Sequence, residues 1–410
     1  MRFKNFLLIM TLFSQPAFSN VEFLHWWTSL GEHAALQQLR KQLTENHLTL
    51  EESSVYGGGG DSALMVLQAR ALAGNTPHFA QIEGPSIKAW DAIGILYNLD
   101  PIAINQKWND VLNPLAQQVN KTKNGYVALP ITLHKMNWLW TNRQLLSELH
   151  LEPPETWSEM ISAMETAKNN DILPLAVGKR PWQIAQLFEH VTIAIGGARF
   201  YQKALVDLDK SALNSNKMKL IVSKFRELSK IVNDDLSPGS WDKMTEKLAT
   251  NQALFQLGGD WILGELLALG VEVPEQISCA TTPQTEDIYV YNIDSFIFLK
   301  RHDFNRPSAL KIAKVLAEKE FQRTFNQVKG SIPVRNDISL KEFNICQKKS
   351  ADYLNNALQN QTAVPSMTDS MAVNPIEQNA INNELFSFFT NQQITAESLI
   401  RRMIAISESS

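Results

Sequence analysis

Val21-Glu22-Phe23-Leu24-His25-Trp26-Trp27 reads as a buried or half-buried strand, and the polar turn Thr28-Ser29-Leu30-Gly31 leads it into a helical pattern from Glu32 to about Leu43. This is one βα unit. Thr49 to Tyr56 has strand character, and four glycines, Gly57 to Gly60, follow it. Asp61 is then placed to cap a helix with Leu64, Leu67, Ala71 and Leu72 at helical spacing, which Gly74 stops. His78 to Ile82 makes a third short strand ahead of another helical stretch. Alternation of this kind predicts a parallel sheet covered by helices. In such sheets ligands bind outside the carboxyl ends of the strands, so Trp26 to Glu32, Gly57 to Asp61 and Gln81 to Ser86 should converge on one crevice.

Outward from this unit, Tyr126 to His134 (YVALPITLH) is strand-like around a central proline, which suits an extended crossing better than a central strand. Thr156 and Glu159 form a capping box ahead of Met160, Met164 and Ala167. A helix-rich region begins there, with helical patterns over Gln183 to Val232 and Trp241 to Leu269. Tyr289 to Leu299 (YVYNIDSFIFL) is again strand-like, Pro307 to Phe325 is helical, Lys329 to Val334 is a tight extended segment, and Glu384 to Ile406 is helical. At 410 residues, one core would be strained, so two lobes are expected. Short linkers and extended crossings near Pro130, Asn292 and Gly330 point to lobes that exchange segments.

The composition is that of an ordinary soluble protein: 44% hydrophobic, 20% charged and 9% aromatic. Lys and Arg total 38 against 42 Asp and Glu, with a net charge of −4 and no long basic run, which argues against nucleic acid as a partner. Arg2 and Lys4, the apolar run Phe6 to Phe13 and the small residues Ala17 and Ser19 read as a secretory signal over residues 1–19. That run is too short to span about 30 Å of hydrocarbon. Cys279 and Cys346 are an even pair in an exported chain, so one disulfide is possible, worth roughly 4 kcal/mol in the chain-entropy model, with two buried thiols as the alternative.

Several chemistries lack their residues. The glycine run precedes Asp61-Ser62 rather than the Lys-Ser/Thr of a phosphate-binding loop. There is no HExxH, no paired-cysteine metal spacing and no GxSxG. No metal, no cofactor and no catalytic residue is therefore expected.

The run His25 to Glu32, the Gly57 to Asp61 loop, Gln81, Leu129 to Trp138 (LPITLHKMNW), Gly259-Asp260-Trp261, Asp294-Ser295-Phe296 and Lys329-Gly330-Ser331 together resemble the glucose/mannose-type periplasmic sugar-binding proteins of ATP-binding-cassette (ABC) importers. The resemblance spans essentially the whole mature chain. It implies an α/β, two-lobed venus-flytrap fold, here expected as lobes 20–130 with 292–330 and 131–291 with 331–410. It also implies a monosaccharide, glucose-like, held between the lobes of a periplasmic monomer and delivered to a membrane permease. The sugar-binding positions it implies are Trp26, Trp27, Glu32, Gln81, His134, Trp261, Asp294 and Lys329. One position departs from the family pattern: Pro365-Ser366-Met367 is followed by Thr368-Asp369-Ser370, so Asp369 stands where a histidine is usual. Leu30 replaces a customary glycine, and Glu83 a common lysine.

These residue types suit a pyranose, whose apolar C–H faces match aromatic rings and whose hydroxyl belt matches charged and planar side chains. Blander readings exist for each. Trp138, Trp140 and Trp157 read as core. Trp26 and Trp27 point to opposite faces if the strand continues through them, so both enter one core only if the strand ends there. Glu32 alone reads as a carboxylate at a helix N-terminus. A secreted glycoside hydrolase would also carry tryptophans and acids, with two carboxyls about 5–10 Å apart, and a chemotaxis or sensor receptor would share every cleft feature.

Overall fold

The computed structural model describes residues 19–56 and 60–408. The expected signal over 1–19 thus lies, Ser19 apart, outside the described residues, as do Gly57 to Gly59. Strand Ser19–His25 lies between two parallel partners, Leu48–Ser54 and Phe79–Ile82. Helices Leu30–Glu45, Asp61–Leu72 and Gly84–Ala92 follow these strands. Helical crossovers keep consecutive strands running the same way. The sheet is not purely parallel, however. Ser295–Phe298 and Leu129–Pro130 extend it, each antiparallel to its neighbour, because both arrive from elsewhere in the molecule.

Helix Leu30–Glu45 starts two residues before the periodicity suggested. Ser29 caps it, accepting from Glu32 N at 3.2 Å, while the Glu32 carboxylate accepts from Ser29 N at 3.0 Å. Leu30 is exposed, so the apolar pattern could not register it. Ala35, Leu36, Leu39 and Leu43 turn inward at helical spacing and are fully buried. The second helix begins at Asp61, which is therefore its first helical residue and not the expected cap; the cap position is Gly60, in the left-handed region at φ 78°.

A second sheet runs Ile277–Thr281, Trp138–Asn142, Ala253–Gly258, Leu173–Leu175, and a third runs Ile332–Pro333, Thr132–Lys135, Tyr289–Asn292, Ala363–Pro365. The chain passes from the first sheet to the third between Pro130 and Thr132, and returns between Asn292 and Ser295. The proline-centred stretch is therefore a crossing. The apolar interior divides accordingly. One cluster gathers Phe23, Leu36, Phe79, Phe296, Ile312 and Phe325; another gathers Trp157, Phe188, Phe225, Leu254, Phe388 and Phe389. A smaller one holds Trp138, Trp140 and Leu263 around the disulfide Cys279–Cys346. Trp138, Trp140 and Trp157 are buried core residues, as read from the sequence. No helix among the described residues is long and apolar enough to cross a membrane.

Candidate functional site

Strand Ser19–His25 ends one residue before the tandem tryptophans, so the alternation that would have separated them does not apply. Both indoles are buried and both line one cavity at the carboxyl end of the strand. Trp27 serves two purposes: its ring packs on Phe296 and Phe325, with centroids 6.0 and 5.4 Å away, while another edge reaches the cavity. Glu32 also does two things. Its Oε2 accepts from Thr28 N at 2.8 Å within the capping box, and its Oε1 lies 3.5 Å from Lys329 Nζ, brought up by the last turn of helix Lys319–Lys329.

Asp294 sits in the crossing between Asn292 and Ser295, and it collects donors from three directions. Gln81 Nε2 donates at 2.9 Å, Thr132 Oγ1 at 3.1 Å and His134 Nε2 at 3.2 Å. Burial alone would raise its pKa, but the hydrogen bond and charge of His134, then Lys329 and Gln81, hold the carboxyl well below its ordinary value. His134 faces a second carboxylate through its other nitrogen, Nδ1 to Asp260 Oδ1. With an acceptor on each side, both ring nitrogens carry hydrogen. Burial pulls the imidazole pKa down, yet Asp260 and Asp294 outweigh it and hold it up to about 9. Asp260 is fixed in turn by Lys135 N at 3.0 Å.

Asp369 and Glu83 line the same cavity. Burial first, and then the charge of Glu189, raise the Asp369 carboxyl to about 7. Burial, then Asp294 and Asp369, push Glu83 well above the usual carboxylate range. Asn292 joins the two, its Nδ2 donating to Glu83 Oε1 at 2.8 Å and to the Asp369 carbonyl at 3.0 Å.

Of the candidate residues, all but Gln81 line the cavity. Gln81 stands behind it, accepting from Trp26 N at 3.3 Å and donating to Asp294, so it positions two lining residues. Of the Gly57 to Asp61 loop, Gly60 and Asp61 are described, and a β-carbon on Gly60 would lie 3.3 Å from the Trp26 ring. Sequence reasoning missed Trp182 and Trp241, half-buried indoles on the lining beside Trp261, together with Arg180 and Asn292. Arg180 and Trp182 sit at the start of helix Pro181–Gly196, and Trp241 opens helix Trp241–Ala249. A tryptophan at a helix start was the available signal. The cavity has a volume of about 60 Å³. Among the described residues no group of three His, Cys, Asp or Glu side chains is disposed to hold a metal.

Comparison with known proteins agrees with this architecture. The profile of the family described as "Bacterial extracellular solute-binding protein" matches residues 27–299. A "Probable sugar-binding periplasmic protein" of Rhizobium meliloti (strain 1021) is 34% identical over 404 residues, covering 98% of this chain and 96% of that one. A protein of the same description in Brucella suis biovar 1 (strain 1330) is 34% identical over 392 residues, 95% of this chain and 92% of its own. Among solved structures, the bacterial solute receptor AcbH, described with an exclusive preference for β-D-galactopyranose, superposes with a TM-score of 0.80 at 16% identity, covering 96% of this chain and 98% of that one. At that identity the likeness establishes the two-lobed solute-binding fold.

Proposed function

Because the chain belongs to the bacterial extracellular solute-binding protein family, we propose that it captures a monosaccharide, a glucose-like hexose, in the cavity between its lobes and delivers it to the permease of an ABC transporter. We assign the lobes as 20–130 with 292–330 and 131–291 with 331–410, and the place of work as the periplasm. The relatives described as sugar-binding periplasmic proteins support the ligand class and the location. No cofactor enters this reading, and the protein acts as a monomeric receptor rather than an enzyme.

The observation that carries the proposal is one cavity faced both by indoles and by ionisable groups. Trp26, Trp27 and Trp261 supply flat faces for the C–H surfaces of a pyranose. Glu32 and Asp294 accept from its hydroxyls, Lys329 and His134 donate to them, and Asp369 sets the preference at the remaining position. Gln81 holds Asp294 in place. Hydrogen bonds to charged groups contribute roughly 1.5–3 kcal/mol each, so a handful suffices for micromolar affinity, about −8 kcal/mol.

Titrating the purified mature protein with glucose, galactose, mannose and xylose tests this. Indole emission should change with saturation in the micromolar range for at least one of them, with no turnover of aryl-glycosides. Silence toward every sugar at millimolar concentration would defeat the proposal.

A further inference from the structure

One corner of the cavity carries acid that the protein itself does not balance. Glu83 and Asp369 are each 6% exposed and both line the cavity. The buried cations nearby are already engaged: Lys329 faces Glu32, and His134 is held between Asp260 and Asp294. Arg180, also on the lining, is exposed to solvent. Glu83 accepts from Asn292 on Oε1 and is in hydrogen-bonding contact with the Asp294 carboxyl, while Asp369 receives side-chain bonds on Oδ2, from Thr368 Oγ1 at 3.1 Å and Ser366 Oγ at 3.5 Å. Asn292, which bridges the two, is itself buried on the lining and keeps an Oδ1 with no partner. Carboxyl groups therefore outnumber basic ones in this corner, and among the described residues no side-chain cation is paired with either acid.

Burying a carboxylate without a counter-charge costs several kcal/mol, and that cost is relieved either by a proton, toward which burial pushes both acids, or by an arriving cation. The arrangement of acids does not suit a metal ion, which leaves an organic cation. An ammonium has three donors and no acceptor, the complement of a corner built from two carboxyls and an amide oxygen. A hydroxyl brings one donor and no charge.

We propose that the ligand is a hexose carrying a protonated amine, with its ammonium seated between Glu83, Asp369 and Asn292. This rests on the sugar-binding reading above. Burial and neighbouring acids hold both carboxyls toward their neutral forms in the free protein, and a bound ammonium would exchange those protons for its own charge. A neutral hexose offers these acids no counter-charge, so the same corner favours the amino sugar over its parent hexose.

Calorimetry at pH 7 with glucose, galactose and mannose, their 2-amino-2-deoxy counterparts, 6-amino-6-deoxyglucose and N-acetylglucosamine decides the matter. At least one amino sugar should bind about tenfold or more tighter than its parent hexose, the ratio expected for a charge-assisted bond over a neutral one. N-acetylation, which removes the charge, should abolish the gain. Glu83→Gln and Asp369→Asn should each move the ratio of amino-sugar to hexose affinity toward one. If a neutral hexose binds and no amino counterpart binds tighter, the inference falls and the sugar-binding reading stands. If no carbohydrate binds at all, it is the sugar-binding reading that falls.

Discussion

At Asp369 the folded protein holds a proton that the unfolded chain would release, because burial and the neighbouring Glu189 raise the carboxyl from 3.8 to about 7. Between those values the native state binds more protons, so stability falls as pH rises. His134 acts in the next window. Its pKa goes up from 6.5 to about 9, so its contribution is complete below the lower value and is lost as pH passes the upper one. Both terms run in the same direction, and stability should decline from about pH 4 to pH 9 through these two groups. Asp369→Asn should flatten the first window: its melting temperature relative to wild type should be higher at pH 8 than at pH 4.5. Equal offsets at the two pH values would mean that Asp369 is not protonated in the native state. The chemistry of these residues was readable from type, but their protonation was not, since it depends on Asp260 and Glu189, far away in the chain and close in space.

Among the elements, helix Leu30–Glu45 shows how one residue can satisfy a bland reading and a sharp one together. Glu32 caps its own helix through Oε2 and faces Lys329 through Oε1. The capping box at Thr156 and Glu159 was visible from residue spacing alone and forms as read, because it is closed within four residues. The link between strand Ile277–Thr281 and helix Ile345–Asn360 needed the tertiary structure. Cys279 and Cys346, 67 residues apart, are joined there, with their α-carbons 6.1 Å apart. Sequence left bridge and thiols as alternatives, since parity cannot report distance. Replacing both cysteines by alanine should cost about 4 kcal/mol by the loop-entropy argument, read as a shift in the urea midpoint. A loss under about 1 kcal/mol would show that packing, and not the covalent link, holds the two elements.

Across the whole molecule, helices that follow strands of different sheets meet at the cavity's edge. Gly31 N, at the start of helix Leu30–Glu45, donates to Glu265 Oε2 at 2.7 Å, and a β-carbon on Gly31 would lie 2.6 Å from the Gly264 and Glu265 backbone. Close approach of backbone to backbone needs glycine there. Gly84 makes a similar seam, where a β-carbon would stand 2.1 Å from the Ser370 carbonyl oxygen. Gly31→Val should force the first seam apart and weaken sugar binding by about tenfold or more, since contacts from both sides must be made together. X-ray scattering at saturating sugar should give a larger radius of gyration for the variant than for wild type. Unchanged affinity and radius would show that this seam does not govern enclosure of the ligand.

The sequence by itself determined the alternating βα start, the crossings at Pro130 and Asn292 and the residue types that crowd the cavity, because periodicity, capping and proline placement act over short stretches of chain. Antiparallel completion of the first sheet, the disulfide, the retreat of Gln81 behind Asp294 and the recruitment of Trp182 and Trp241 were decided only by the tertiary structure. Each depends on segments far apart in the chain being packed to within a few ångströms. Local patterns carry no information about that separation.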